Sequence, residues 1–382
     1  MTAFFAYEEL TWPEVAALPR DLPLILPLGD GYILEQLATA LGQPPRIGLL
    51  PAFPFGWEGS GLVVPEPILR AYLSNLLDSL RDDGFTHVIA MTPKGLELGL
   101  GHDRIAVECR GANLAMLNGL FSTTNMEKVV LIPIGHTEQH GYHLPLSTDT
   151  LIIQAISRCA AVVDPEEAFS LPVMPYGVSM HRASFAGTLN AGGRAFEDFW
   201  LAVIDHLAWR GFDRFYLLSG HGGNSSFLVN VVKYAGDRHK RIFCATAFLY
   251  LSGPQGVDAL EKHRLSKIGG MGHACELETS LILHLRPDLV RLERTVDETD
   301  FISTPSYYMD WIEGGALVAN PHWYDDTATG AYGAGSLATP EHGSLWLEAA
   351  VMEKVAHVRE IHEQYRRREE RRLGGYGRYH SR

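Results

Sequence analysis

The chain has 382 residues, enough for two or three ordinary domains with substantial cores. Its 46% hydrophobic and 20% charged content is that of a soluble globular protein, and no apolar run approaches the roughly 18 residues that span a bilayer. A net charge of −13 argues against a nucleic-acid surface, which needs a basic patch. The start, Met1 to Glu9, lacks the basic end and long apolar core of a signal peptide. Cys109, Cys159, Cys244 and Cys275 are far apart and form no CxxC pair, so neither a disulfide framework nor a thiolate metal site is expected. The expected setting is cytoplasmic, with no membrane partner.

In chain order, apolar strand-like runs alternate with amphipathic helical stretches, which predicts an α/β fold with a parallel sheet. The predicted strands are Leu24–Leu28, Val88–Met91, Val129–Ile134, Phe215–Leu218 and Ile242–Ala247. The predicted helices are Ile68–Asp82, Asp149–Val162, Ala195–Arg210, Asn224–Arg238 and Gly343–Arg366. The two halves echo each other. Pro51 to Gly56 matches Pro172 to Gly177, each leading through a turn to a helix that closes on Gly-Phe, at Gly84-Phe85 and Gly211-Phe212. Upstream, Ile25 to Gly29 matches Leu131 to Gly135. An offset of roughly 105 to 127 residues is too long for a solenoid and points to a duplicated domain, against chance similarity of two α/β units. The predicted organisation is a degenerate, structural repeat over 1–115, a catalytic domain over 116–366 and a polar tail over 367–382. The basic run Arg366 to Arg372 is expected to be solvated.

Polar residues cluster at strand ends of the second half. Glu138 and His140 follow Val129–Ile134, and residues two apart in an extended segment point the same way. With Asp149 they suit zinc or manganese, against the alternative of a polar strand-end turn. Ser219 to Asn224, with His221 between glycines, ends the strand Phe215–Leu218, and ligand sites in parallel sheets gather at such ends. A third cluster runs from Gly272 to Ser280. His273 and Glu276 share a face if a helix has begun there, while Glu278 alone suits a helix-start carboxylate. The first half has lost these groups: Asp30-Gly31-Tyr32 follows Gly29, and Pro93-Lys94-Gly95 stands where Gly220-His221-Gly222 does. His181 and Arg182 lie in a loop, as substrate contacts or as solvated residues. The segment from Arg291 to Trp323 is a lid, a subunit contact or a local core.

Glu138-x-His140-Gly141-x-His143-Leu144-Pro145 with Asp149, Gly187-Thr188, Gly220 to Asn224, and His273-Ala274-x-Glu276-x-Glu278-Thr279-Ser280 together resemble the creatininase (creatinine amidohydrolase) family, as does the late stretch Ala338 to Gly343. The resemblance covers about Val129 to His357. It implies a layered, parallel-sheet fold and a dinuclear metal hydrolase assembled as a trimer or hexamer. Glu138 and His221 would hold one ion and His140 the other, with Asp149 between them. Creatininase has a carboxylate two residues after the second-cluster His, where this chain has Gly223; the resemblance to other members places Glu276 as the replacement. His273 matches the proton-shuttling His. His143 is expected to orient the first ligand loop, and His136, His181 and Arg182 to meet a small-molecule substrate.

The expected cofactors are two divalent ions, zinc or manganese. The expected reaction is hydrolysis of a C–N bond in a small cyclic amide or formamide. The alternatives are hydrolytic C–C opening of a cyclic diketone such as an oxidised inositol and, in another class, a non-catalytic assembly protein.

Overall fold

The computed structural model describes residues 2–109, 117, 119–180, 184–311 and 314–374. The first sheet contains β1 (Ala3–Ala6), β2 (Leu24–Pro27), β3 (Arg46–Leu49), β4 (Val88–Pro93) and β5 (Arg104–Val107), in the order β1-β3-β2-β4-β5. The second contains β6 (Val129–Ile134), β7 (Ala168–Ser170), β8 (Arg214–Ser219) and β9 (Phe243–Thr246), in the order β7-β6-β8-β9. Every pairing within both sheets is parallel. A short antiparallel pair, β10 (Met271–His273) with β11 (Tyr332–Gly333), stands apart.

The helices are α1 (Trp12–Ala16), α2 (Leu34–Ala40), α3 (Glu66–Asp82), α4 (Thr148–Val163), α5 (Gly193–Trp209), α6 (Ser225–Arg238), α7 (Pro254–His263), α8 (Glu276–Leu285) and α9 (Pro340–Leu373). Strand β6 reads Val-Val-Leu-Ile-Pro-Ile with all six residues buried, as expected of a central parallel strand covered on both faces. Apart from β1, the two sheets share one strand order, with β2, β3, β4 and β5 in the places of β6, β7, β8 and β9. The parallel bridges Leu28–Phe53 and Ile134–Met174 recur at the carboxyl ends of β2 and β6.

The two sheets are joined by a common core. Helix α3 packs against α5. Between the two units Phe53 meets Tyr176 at 5.9 Å and Phe199 at 5.6 Å, and Tyr72 meets Phe199 at 5.0 Å between ring centroids. The Tyr72 hydroxyl donates to the Tyr176 carbonyl at 2.8 Å, and the Asn75 amide to the Ala191 carbonyl at 2.6 Å. A second core, on the other face of the second sheet, buries Trp346, Ala350, Val355 and Val358 of α9.

Helix α9 starts where Thr339 accepts from the His342 N–H at 3.1 Å, with Pro340 at its first position. It runs to Leu373, beyond the predicted end at Arg366. Pairs one turn apart, Arg367 with Glu363 at 2.5 Å and Arg366 with Glu370, carry the helix through the stretch expected to be a tail. No described helix is long and apolar enough to cross a membrane.

Candidate metal centre

The polar groups gather past the carboxyl ends of β6 and β8 and at the start of α8. Gly135 lets β6 end against the helix α4: a Cβ there would lie 2.5 Å from the Thr150 Cα. That approach brings Asp149, in the first turn of α4, beside the ligand loop; the helix N-terminus favours its negative charge. Gly220 serves β8 likewise, since a Cβ would sit 2.5 Å from the Asp149 carbonyl oxygen.

Asp149 is the centre of the arrangement. Its Oδ1 lies 3.1 Å from His140 Nε2 and its Oδ2 lies 3.2 Å from His221 Nδ1. His221 Nδ1 is also 2.8 Å from Glu138 Oε1, and His140 Nε2 is 3.9 Å from Glu278 Oε1. His140, Asp149 and Glu278 form one buried group of potential ligands, and Glu138, His140 and His273 another. The far ring atoms are held by backbone: His140 Nδ1 lies 3.1 Å from the Glu138 carbonyl and His221 Nε2 lies 3.0 Å from the Val178 carbonyl. Such partners fix ring orientation and leave the opposite nitrogens facing the carboxylates.

Burial opposes charge on His140, yet Asp149, Glu278 and Glu138 overcome it and lift its pKa to about 8. The same contest at His221, won by Glu138 and Asp149, lifts it to about 9. For Asp149, burial alone would raise the pKa, but His140 and the hydrogen bonds from both rings hold it below the ordinary range. Three buried carboxylates and converging imidazoles are a hard-to-borderline nitrogen and oxygen donor set. It fits a divalent ion such as zinc or manganese, and a buried set of this charge is compensated by one.

Glu278 stands in the cluster, whereas Glu276, the expected ligand, turns its carboxylate to the preceding loop. Glu276 Oε1 accepts the Leu265 N–H at 2.9 Å and Oε2 the Ser266 N–H at 2.8 Å, so it ties down the preceding loop. Residues two apart on a helix point to nearly opposite sides, so only one of the pair can face the site. Glu278 Oε2 accepts the Ala274 N–H at 2.5 Å, and Ala274 takes the left-handed conformation at φ 49° to make that turn. Gly223 is tightly hemmed in. A Cβ there would lie 2.4 Å from both His221 Nε2 and the Val178 carbonyl oxygen, so no side chain fits beside the bond that orients His221.

His273 brings Nε2 within 2.7 Å of the Gln139 carbonyl, which leaves Nδ1 toward Glu138 at 3.8 Å. Its ring lies 4.1 Å from that of His140 and edge-on to Trp323 at 5.1 Å. His136 is fully buried, accepts the Gly177 N–H on Nδ1 at 2.9 Å and places Nε2 4.0 Å from Glu138. With Glu138 and His221 it forms a third buried group of potential ligands. His143 contacts Thr279 Oγ1 of α8 at 2.9 Å, joining the ligand loop to that helix; burial and the nearby His140 push its pKa down to about 4. His181 and Arg182 lie outside the described residues.

Asp310 and Trp12 carry no distinguishing sequence signal, whereas Trp311 belongs to the segment expected as a lid, a subunit contact or a local core. Met309, Asp310 and Trp311, from the aromatic-rich segment, line a cavity of about 60 Å³ at the site, so that segment forms part of its cover. Asp310 pairs with Arg264 at 2.6 Å and accepts the Gly269 N–H at 2.6 Å, fixing the cover to the loop that Glu276 holds. From the first unit, Trp12 donates its indole N–H to the Thr329 carbonyl at 2.8 Å and packs on Tyr142 and Phe185. The Glu8 and Leu10 carbonyls accept the N–H groups of Ser147 and Leu146, just ahead of Asp149, at 3.0 and 2.9 Å.

Fold and site together place the protein among metal-dependent hydrolases built on a parallel α/β sheet. The chain belongs to the creatininase family: residues 121–358 match the family model described as creatinine amidohydrolase. It is 34% identical over 173 residues to a mycofactocin precursor peptide peptidase of Mycobacterium ulcerans (strain Agy99), covering 43% of this chain and 61% of that one, under two thirds of its length. It is 28% identical to the creatinine amidohydrolase of Pseudomonas putida (61% of this chain, 89% of that one). It is also 28% identical to a 3-dehydro-scyllo-inosose hydrolase of Thermotoga maritima (62% and 78%). A solved creatininase complexed with creatine superposes with a TM-score of 0.53 at 25% identity, covering 62% of this chain and 93% of that one.

Proposed function

We propose that the protein is a dinuclear-metal hydrolase acting on a C–N bond of a small cyclic amide or formamide. The observation that carries this is Asp149, whose two oxygens stand within 3.2 Å of imidazoles from different strand ends. Glu138 and His221 would hold one ion, His140 and Glu278 the other, with Asp149 shared. Bound zinc or manganese would supply an activated water and a Lewis acid for the substrate carbonyl. His273 would carry the proton to the departing nitrogen from Nδ1, its Nε2–H being committed to the Gln139 carbonyl. The cover of Met309, Asp310 and Trp311 would exclude water.

The likeness to the inosose hydrolase supports a second reading, C–C opening of a cyclic diketone at the same site. A panel of lactams, formamides, short peptides and keto-inositols, assayed with zinc- and manganese-loaded protein, separates these. Turnover of a lactam or formamide that disappears in Asp149→Asn supports the C–N reading. Turnover confined to keto-inositols would replace it. The duplication is part of the same proposal: the shared strand order supports descent of the first unit from one that once carried a site.

A further inference from the structure

Two cavities flank the first-unit turn Tyr7–Glu9. The larger, of about 430 Å³, lies at the carboxyl edge of the first sheet against Phe4, Tyr32, Leu34 and Met91. The smaller, of about 300 Å³, lies between the units and reaches Arg286. Glu8 and Ala52 stand in the lining of both. The larger has the size that takes a small organic molecule. It also occupies the place where ligands collect in parallel sheets, outside the strand ends.

Its walls are mainly aromatic and aliphatic apart from the carboxylates Glu8 and Asp30, and none of the described lining residues is basic. The Tyr32 ring is fixed by its hydroxyl, which donates to the Leu28 carbonyl at 2.5 Å. In this apolar setting Glu8 Oε2 is fully buried and accepts no hydrogen bond. Burial pushes its carboxyl up to about 7 despite a backbone hydrogen bond. The nearby cation is committed elsewhere, since Arg286 pairs with Glu9 at 3.0 Å and Asp288 at 2.8 Å. A buried carboxylate oxygen without a donor is costly. A cation beside the carboxylate offsets that cost through its charge.

We propose that this cavity binds a small organic cation, an apolar body carrying one ammonium or amidinium group, with its charge on Glu8 and its body against Tyr32, Leu34 and Met91. The site is separate from the metal cluster and does not depend on the hydrolase reading. Its occupant would adjoin the segment whose carbonyls, at Glu8 and Leu10, hold the turn before Asp149.

Calorimetric titration of the full metal-loaded chain with benzamidinium chloride tests this, with neutral benzamide as the comparison. The expected result is saturable one-to-one binding, about tenfold or more weaker for benzamide and for the Glu8→Gln chain. Ala52→Phe, which fills the cavity while keeping the carboxylate, should abolish binding while circular dichroism stays native. His221→Ala, which disrupts only the metal cluster, should bind as the native chain does. Absence of saturable binding to the native chain would overturn the proposal. So would affinity unchanged in both Glu8→Gln and Ala52→Phe, or loss of binding in His221→Ala.

Discussion

At the carboxyl edge of the second sheet, β6 and β8 run into Glu138 and His221, which meet over Asp149. At the same edge of the first sheet, β2 and β4 run into Asp30-Gly31-Tyr32 and Lys94, and the first of these lies against an apolar cavity. The strand order is shared, so topology alone does not make the cluster. What differs is a handful of side chains and one glycine, Gly220, where the first unit has Pro93; Gly29 stands in the place of Gly135. Gly135 and Gly220 bring β6 and β8 against α4 closely enough for one carboxylate to reach both imidazoles. The first unit contributes packing instead, through the Phe53, Tyr72 and Phe199 core and through the Glu8, Leu10 and Trp12 contacts that steady the metal loops.

The sharpest way to break this comparison is Asp149→Ala. On the proposed assignment it removes the carboxylate shared by two donor sets, so metal content and hydrolysis should both fall, the latter by about a thousandfold or more. Phe199→Ala, in the core the units share, should cost about 3–5 kcal/mol in denaturant unfolding while leaving every metal donor in place. A native-like stability for that variant would mean that the units do not depend on one another.

Glu276→Ala and Glu278→Ala separate two neighbouring carboxylates. Glu278→Ala should lower metal content. Glu276→Ala should keep it and lower stability by about 3 kcal/mol, since two backbone N–H groups lose a charged acceptor. The reverse pattern would restore Glu276 as the ligand.

The pH dependence of the chelated protein provides a smaller effect. His140 and His221 have folded pKa values of about 8 and about 9, raised above an unfolded value of about 6.5. Their contribution to stability is therefore fully present below about pH 6.5 and lost as pH rises through about 8 to 9. Thermal unfolding with chelator should show a midpoint that falls over that window, with a weaker slope in Asp149→Asn. A midpoint that rises over that window would contradict the assignment. Smallest of all, Lys94→Ala, at the first unit's counterpart of His221, should leave metal content unchanged. Its half-exposed pair with Glu108 at 2.7 Å puts the stability change within about 0.5 kcal/mol.

Much of this was legible in the sequence where residues are long-patterned or forced together. β6 is a six-residue apolar run, α3, α5 and α9 are long and periodic, and Glu138, His140, Asp149 and His221 sit at recognisable strand and helix ends. The strands β1, β3, β5 and β7 were not found, because three or four residues carry too little alternation to distinguish them from a loop. The choice between Glu276 and Glu278 turned on helix phase, which depends on where α8 begins, and the left-handed Ala274 sets that start. Asp310 lines the cavity at the site and Trp12 braces Thr329, both from segments far away in sequence, through contacts that no local pattern encodes.

The most direct test is metal content per chain by elemental analysis, on protein purified without added metal or chelator, native and Asp149→Ala side by side. The expected result is about two divalent ions in the native chain and close to none in the variant. About four ions in the native chain, or a full complement retained by the variant, would contradict a single centre built around Asp149.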